Sequence, residues 1–126
     1  MKIRSLIAIA PLFLTVLFPS AANSAEKRGP LMTGELIQLA YDDFSAADAK
    51  MNIAYQQLLG ILDEHGKATL KEAQRKWLAW RDAQAELDCH HLEGGKLQRM
   101  ERGGSLANTT KTRTAQLLAD YKRFKE

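Results

Sequence analysis

The chain has 126 residues, 18 Lys and Arg against 15 Asp and Glu, and a single cysteine. That length is enough for one small domain, and a lone cysteine excludes an internal disulfide framework. A charge excess this small also argues against nucleic acid as a partner.

Met1-Lys2-Ile3-Arg4 is a short basic start. Ser5–Phe18 is apolar without a charged residue, and Pro19–Ala25 supplies small residues and a break. This is the three-part layout of a secretory signal peptide. The apolar run falls short of the ~20 residues a spanning helix needs. Residues 1–25 are therefore expected to be cleaved on export, with Ala25 as the last leader residue. Residues 26–126 remain as one domain, periplasmic or secreted, without a stable membrane anchor. The leader carries away Lys2 and Arg4 and no acid, leaving 16 basic residues against 15 acidic ones, or +1. The remaining charge is uneven. Residues 26–95 hold 8 basic and 12 acidic side chains, whereas residues 96–126 hold 8 and 3. A basic C-terminal section is a solvated helix face or a surface that steers toward an anionic partner.

Glu26–Met32, with Gly29-Pro30, reads as a lead-in, and the Thr33 hydroxyl suits a helix N-cap. Ile37, Ala40, Phe44, Ala47, Met51, Ala54, Leu58 and Ile61 then keep a three-four spacing. That spacing predicts a long first helix with a heptad seam. Asp63-Glu64-His65-Gly66-Lys67 ends it, with Gly66 suited to a left-handed cap or turn. His65 belongs to this loop. A second helix is predicted from about Thr69 to Asp88 or His91, with Leu70, Ala73, Trp77, Trp80, Gln84 and Leu87 on one face. Both tryptophans are thus expected in the core. So short a loop makes the two helices antiparallel neighbours. Folding about residue 65 sets Asp48 opposite Arg81 and Asp82, and Asn52 opposite Trp77 and Leu78. Asp48, Asn52 and Arg81 are expected to form a polar clasp that fixes the register of the hairpin.

From Cys89 to Ser105 the periodicity dissolves into a Gly-rich, basic connection, with at most a helical turn near Lys96–Glu101. Thr114, Leu117, Leu118, Tyr121 and Phe124 mark a last amphipathic helix. The predicted architecture is all-α: a long antiparallel helical hairpin covered by a C-terminal third helix, reached through a Gly-rich connection. Cys89 is a buried apolar residue, a free thiol or an intermolecular link.

Little in the chain points to chemistry. Cys89-His90-His91 has metal-ligand residue types but lacks further ligands at useful spacing. Ser45, Ser105 and His65 have no nucleophile-elbow context. Gly103-Gly104-Ser105 lacks the Gly-Lys-Ser/Thr of a phosphate loop. No catalytic residue, metal or cofactor is expected, and the protein is not expected to be an enzyme.

Three stretches resemble the LprI-type lysozyme inhibitor family. Asp48-Ala-Lys-Met-Asn52-Ile-Ala-Tyr55 is similar to its Asp…Leu/Met-Asn…Tyr segment. Ala73-Gln74-Arg75-Lys76-Trp77-Leu78-Ala79-Trp80-Arg81-Asp82-Ala83 is similar to its AQ-x-x-W-x-x-[FY]-RD signature. Gly103-Gly104-Ser105-Leu106 with Thr110 and Arg113 resembles its GGS turn and Thr-x-x-Arg final helix. Members usually carry cysteines in the first helix, after the Arg-Asp pair and before the last helix. Here Leu39 and Ala85 stand at the first two of these positions. The resemblance implies an exported helical protein that binds and blocks a lysozyme-type peptidoglycan hydrolase. Asp48, Asn52, Gln74, Trp77, Arg81 and Asp82 are its structural signature. Lys96, Arg99, Arg102 and Ser105 of the Gly-rich connection are the candidate partner-binding residues, since cations there suit the acids of a lysozyme cleft. The alternative is a cell-envelope interaction or immunity protein that binds another protein through its basic last helix without inhibiting lysozyme. The oligomeric state is left open.

Overall fold

The computed structural model describes residues 32–126, and the expected signal peptide lies outside them. The described residues form three helices: α1 Thr33–Ile61, α2 Glu64–Asp88 and α3 Gly95–Lys125. The order is up, down, up, so α1 and α3 run parallel with α2 antiparallel to both. The expected all-α architecture is what the chain adopts.

The helix ends differ from expectation in instructive ways. Thr33 is the first helical residue rather than the cap, and Glu35 reaches back to accept the Met32 N–H at 2.8 Å. The α1–α2 connection is only Leu62 and Asp63. Asp63 caps α2 by accepting from the Gly66 N–H at 2.7 Å. Gly66 is therefore in the first turn of α2 and not in a left-handed cap. It sits close under that capping carboxylate, where a Cβ would come within 3.1 Å of both Asp63 Oδ1 and Leu62 Cβ. His65 is likewise an exposed residue of α2 rather than of a loop. The left-handed backbone falls instead at Gly94 and Gly95 (φ 74° and 83°), where glycine avoids the Cβ penalty. They turn the chain sharply from α2 into α3.

Helix α3 begins ten residues earlier than the dissolving periodicity suggests. Gly103-Gly104-Ser105, expected in a connection, lies inside it. The reason is packing. α3 lies against α1 through small residues, with Gly103 facing Ala40 and Tyr41, and with Ala47, Ala54 and Ala107 buried. Small side chains let the α1 and α3 backbones approach closely along their length. Helix α2 stands further from α1 and is joined to it by long side chains instead. Helix α3 thus does more than cover the hairpin; its pairing with α1 is the tightest in the molecule.

The α1 seam is as expected from Ile37 to Leu58, with Ala47, Met51, Ala54 and Leu58 buried. Met51, Ala54, Leu58, Leu70 and Leu117 form the apolar core, flanked by Tyr55, Trp77, Leu78 and Tyr121. Ile61 and Phe124, expected on the seams, are 37% and 52% exposed. Thr110 is fully buried in α3, and its Oγ1 has no hydrogen-bond partner. An unpaired buried hydroxyl costs stability, and valine has the same shape without it. Thr110→Val should therefore stabilise the protein by about 1 kcal/mol in urea unfolding; a loss of stability would show that the hydroxyl is in fact paired.

Candidate functional site

The buried stripe of α2 is not the one its apolar residues draw. It runs through Leu70, Gln74, Arg81 and Ala85 to Cys89, with Trp77 and Leu78 half-buried beside it. Trp80 and Leu87, expected in the core, are 51% and 59% exposed. The apolar stripe misleads because two polar residues, Gln74 and Arg81, take interior places. They can do so only because partners from the other helices receive them.

Arg81 is the centre of this arrangement. Its Nη1 donates to Asp48 Oδ1 across the α1–α2 gap at 3.2 Å, and its Nε donates to Asp82 Oδ1 at 3.0 Å. Its guanidinium lies 5.1 Å from the Phe44 ring centroid and 5.5 Å from that of Trp77. Asn52 does not reach Arg81. It donates to the other oxygen of Asp48 at 3.3 Å, holding that carboxylate in place. The expected clasp therefore exists between Arg81 and Asp48, with Asn52 acting through Asp48.

A second cation meets Trp77 from α3. The Arg113 guanidinium lies 5.7 Å from the indole, and its Nε donates to Gln74 Oε1 at 3.0 Å. Burial pushes the Arg113 guanidinium below its ordinary value. Gln74 completes the chain by donating to Met51 Sδ at 3.5 Å. Trp77 thus meets two arginines from different helices, and the network ties α1, α2 and α3 together. Cation–π contacts strengthen as water is removed from around them, which suits this part-buried setting.

The four candidate partner-binding residues separate into two kinds. Arg102 Nε donates to Glu86 at 2.6 Å, and Ser105 Oγ donates to Asp88 at 2.6 Å. The Asp88 carboxyl, which also accepts from Gln84, is held below its ordinary value chiefly by the Ser105 hydroxyl. A lowered carboxyl pKa favours the folded state above the ordinary aspartate range, and this contribution is lost as pH falls through the folded value. Arg102 and Ser105 therefore pin the start of α3 to the end of α2. Lys96 and Arg99 are exposed on the first turns of α3, and neither has an ion-pair partner among the described residues. They follow the turn that carries His90 and His91. His90 donates its ring N–H to the Leu87 carbonyl at 2.8 Å, closing the end of α2.

Cys89 is a free thiol and fully buried, so of its three readings the intermolecular link, which needs an accessible sulfur, is the one the fold does not favour. Leu39 and Ala85, at the positions of the usual cysteines, are half-exposed and fully buried respectively. No group of three or more His, Cys, Asp or Glu side chains is arranged to hold a metal ion among the described residues. No helix among them is long and apolar enough to cross a membrane.

Among the described residues, fold and site together define an all-α protein in which buried Gln74 and Arg81 tie the helices to one another. A family model described as "Lysozyme inhibitor LprI" matches residues 24–117. The chain belongs to this family, which is named for inhibition and not for catalysis. An uncharacterized protein of Rhizobium meliloti (strain 1021) is 30% identical over 128 residues, spanning 87% of this chain and 92% of the relative. No solved structure matches.

Proposed function

We propose that this protein is exported and acts without catalysis, by binding a lysozyme-type peptidoglycan hydrolase and covering its cleft. The family match over residues 24–117 carries this reading. The signal-peptide layout of residues 1–25 supports export to the periplasm or beyond.

The binding element is the corner where α2 turns into α3. Lysozyme cuts with two carboxylates in a cleft, so an inhibitor gains from cations that reach in and from a shape that fills the opening. Lys96 and Arg99 are exposed cations on the first turns of α3, just past the sharp turn at Gly94 and Gly95, and free of internal ion pairs among the described residues. Arg102 and Ser105 support them by fixing where α3 starts. The mature protein should slow lysis of cell-wall substrate by lysozyme. A Lys96→Glu/Arg99→Glu double variant should weaken inhibition about tenfold or more at an unchanged melting temperature. No slowing at large molar excess, across several lysozyme classes, would overturn the proposal.

A further inference from the structure

A shallow groove of about 250 Å³ lies between α2 and α3, lined by Trp77, Trp80, Asn108, Thr109, Thr112 and Gln116. None of these six side chains is ionisable, although charged residues make up 26% of the sequence. The lining itself is uncharged, and the cation at its edge, Arg113, is committed to Gln74, Gln116 and the Trp77 ring. Trp80 is 51% exposed among the described residues, a large aromatic surface at the side of the groove. Trp77, beside it, is already engaged by two arginines.

The polar side of the groove offers a definite pattern of donors and acceptors. Thr109 donates its hydroxyl proton to the Ser105 carbonyl at 2.9 Å, and Thr112 donates to that of Asn108 at 3.1 Å. With their protons committed, both hydroxyls face outward only as acceptors. Gln116 accepts from Arg113 Nη1 at 3.3 Å, which leaves its amide N–H groups to donate. The Asn108 amide is exposed and has no side-chain partner among the described residues. These residues occupy one face of α3 over about 12 Å, at 1.5 Å rise per residue.

We propose that this groove binds a neutral pyranose ring of a glycan, stacked on the indole of Trp80. A sugar ring has one face of C–H groups, which an exposed aromatic plane matches, and a rim of hydroxyls that both donate and accept. Thr109 and Thr112 accept from that rim, while Asn108 and Gln116 donate to it. A phosphate or carboxylate ligand would call for a cation free to pair with it, whereas Arg113 at the groove's edge is already held by Gln74, Gln116 and Trp77. The site lies on the α2–α3 face and not at the Lys96 and Arg99 corner, so it does not depend on lysozyme inhibition.

Only two tryptophans are present, so their fluorescence reads the site directly. The full mature protein is titrated to about 10 mM with β-1,4-linked trisaccharides, one of N-acetylglucosamine and one of glucose. A blue shift of the emission with either sugar is expected, as the ring covers Trp80. Response to the acetylated sugar alone assigns the source to cell-wall-type glycans; response to both assigns it to β-glycans in general. Trp80→Ala should weaken binding, followed by sugar-dependent NMR shifts of the Asn108 and Gln116 amides, about tenfold or more. Trp80→Phe should retain most of the binding. Trp80→Phe keeps an aromatic ring over the half of the side chain that is buried and should melt close to the parent, and Trp80→Ala is compared at a temperature where circular dichroism shows it folded. No binding of either sugar, or binding that Trp80→Ala leaves unchanged, overturns the proposal. Amide shifts produced by a hydrolase and by neither sugar would assign the groove to a protein partner and overturn it equally.

Discussion

Arg81→Ala should be the most damaging single substitution in the polar interior, lowering stability by about 3 kcal/mol. For a domain of this size that is a fall in melting temperature of roughly 12–20 °C. The magnitude combines two losses. The first is electrostatic: Asp48, which is 37% exposed at its side chain, loses the cation that faces it across the helix gap. Its partial exposure places the cost at the low end of the range for a broken buried pair. The second is packing, because the Arg81 side chain is 10% exposed and its removal strips a neighbour from both Phe44 and Trp77. Arg81→Lys should recover only part of the loss, since an ammonium keeps the charge but neither the planar fork nor the stacking. A double-mutant cycle with Asp48→Ala should return a coupling of about 1–2 kcal/mol. If Arg81→Ala melts within about 2 °C of the parent, the clasp contributes nothing and another feature sets the register.

The same residue shows how far the sequence could be read. The α1 seam was legible because every seam position from Ile37 to Leu58 is apolar, so periodicity and burial coincide. The Asp48–Arg81 pairing was legible too, because a short connection near residue 65 makes the two helices antiparallel neighbours, which sets position 48 opposite positions 81 and 82. The phase of α2 was not legible from hydropathy. Gln74 and Arg81 are buried while Trp80 and Leu87 are exposed, an inversion that depends on partners far along the chain. Met51 receives Gln74 and Asp48 receives Arg81 at separations of 23 and 33 residues. The start of α3 was hidden for a related reason. Glycines read locally as breakers, and only the nearness of α1 explains why one of them sits in mid-helix. Of the candidate binding residues, Arg102 and Ser105 could not be told from Lys96 and Arg99 without knowing that Glu86 and Asp88 lie opposite.

Gly103 and Gly104 should respond to substitution in opposite directions. Both lie within α3 without positive φ, so neither is needed for backbone conformation. At Gly103 a Cβ would meet Ala40 Cβ at 3.0 Å and the Tyr41 ring at 3.2 Å and 3.3 Å. A larger side chain must push α3 off α1 at their closest pairing. Gly103→Leu should cost about 3 kcal/mol, even after a gain in helix propensity of nearly 1 kcal/mol. At Gly104, one residue on, a Cβ would meet nothing within 4 Å. Gly104→Ala should therefore stabilise by about 0.5–1 kcal/mol, through reduced unfolded-state entropy and better helix propensity. Urea unfolding of the two variants measures the difference, and circular dichroism shows whether Gly103→Leu remains helical. The contrast tests the architecture itself. If α3 merely lay over an α1–α2 hairpin, both glycines would behave as ordinary helix positions and both substitutions would stabilise. If small residues are what bring α1 and α3 together, the signs must differ.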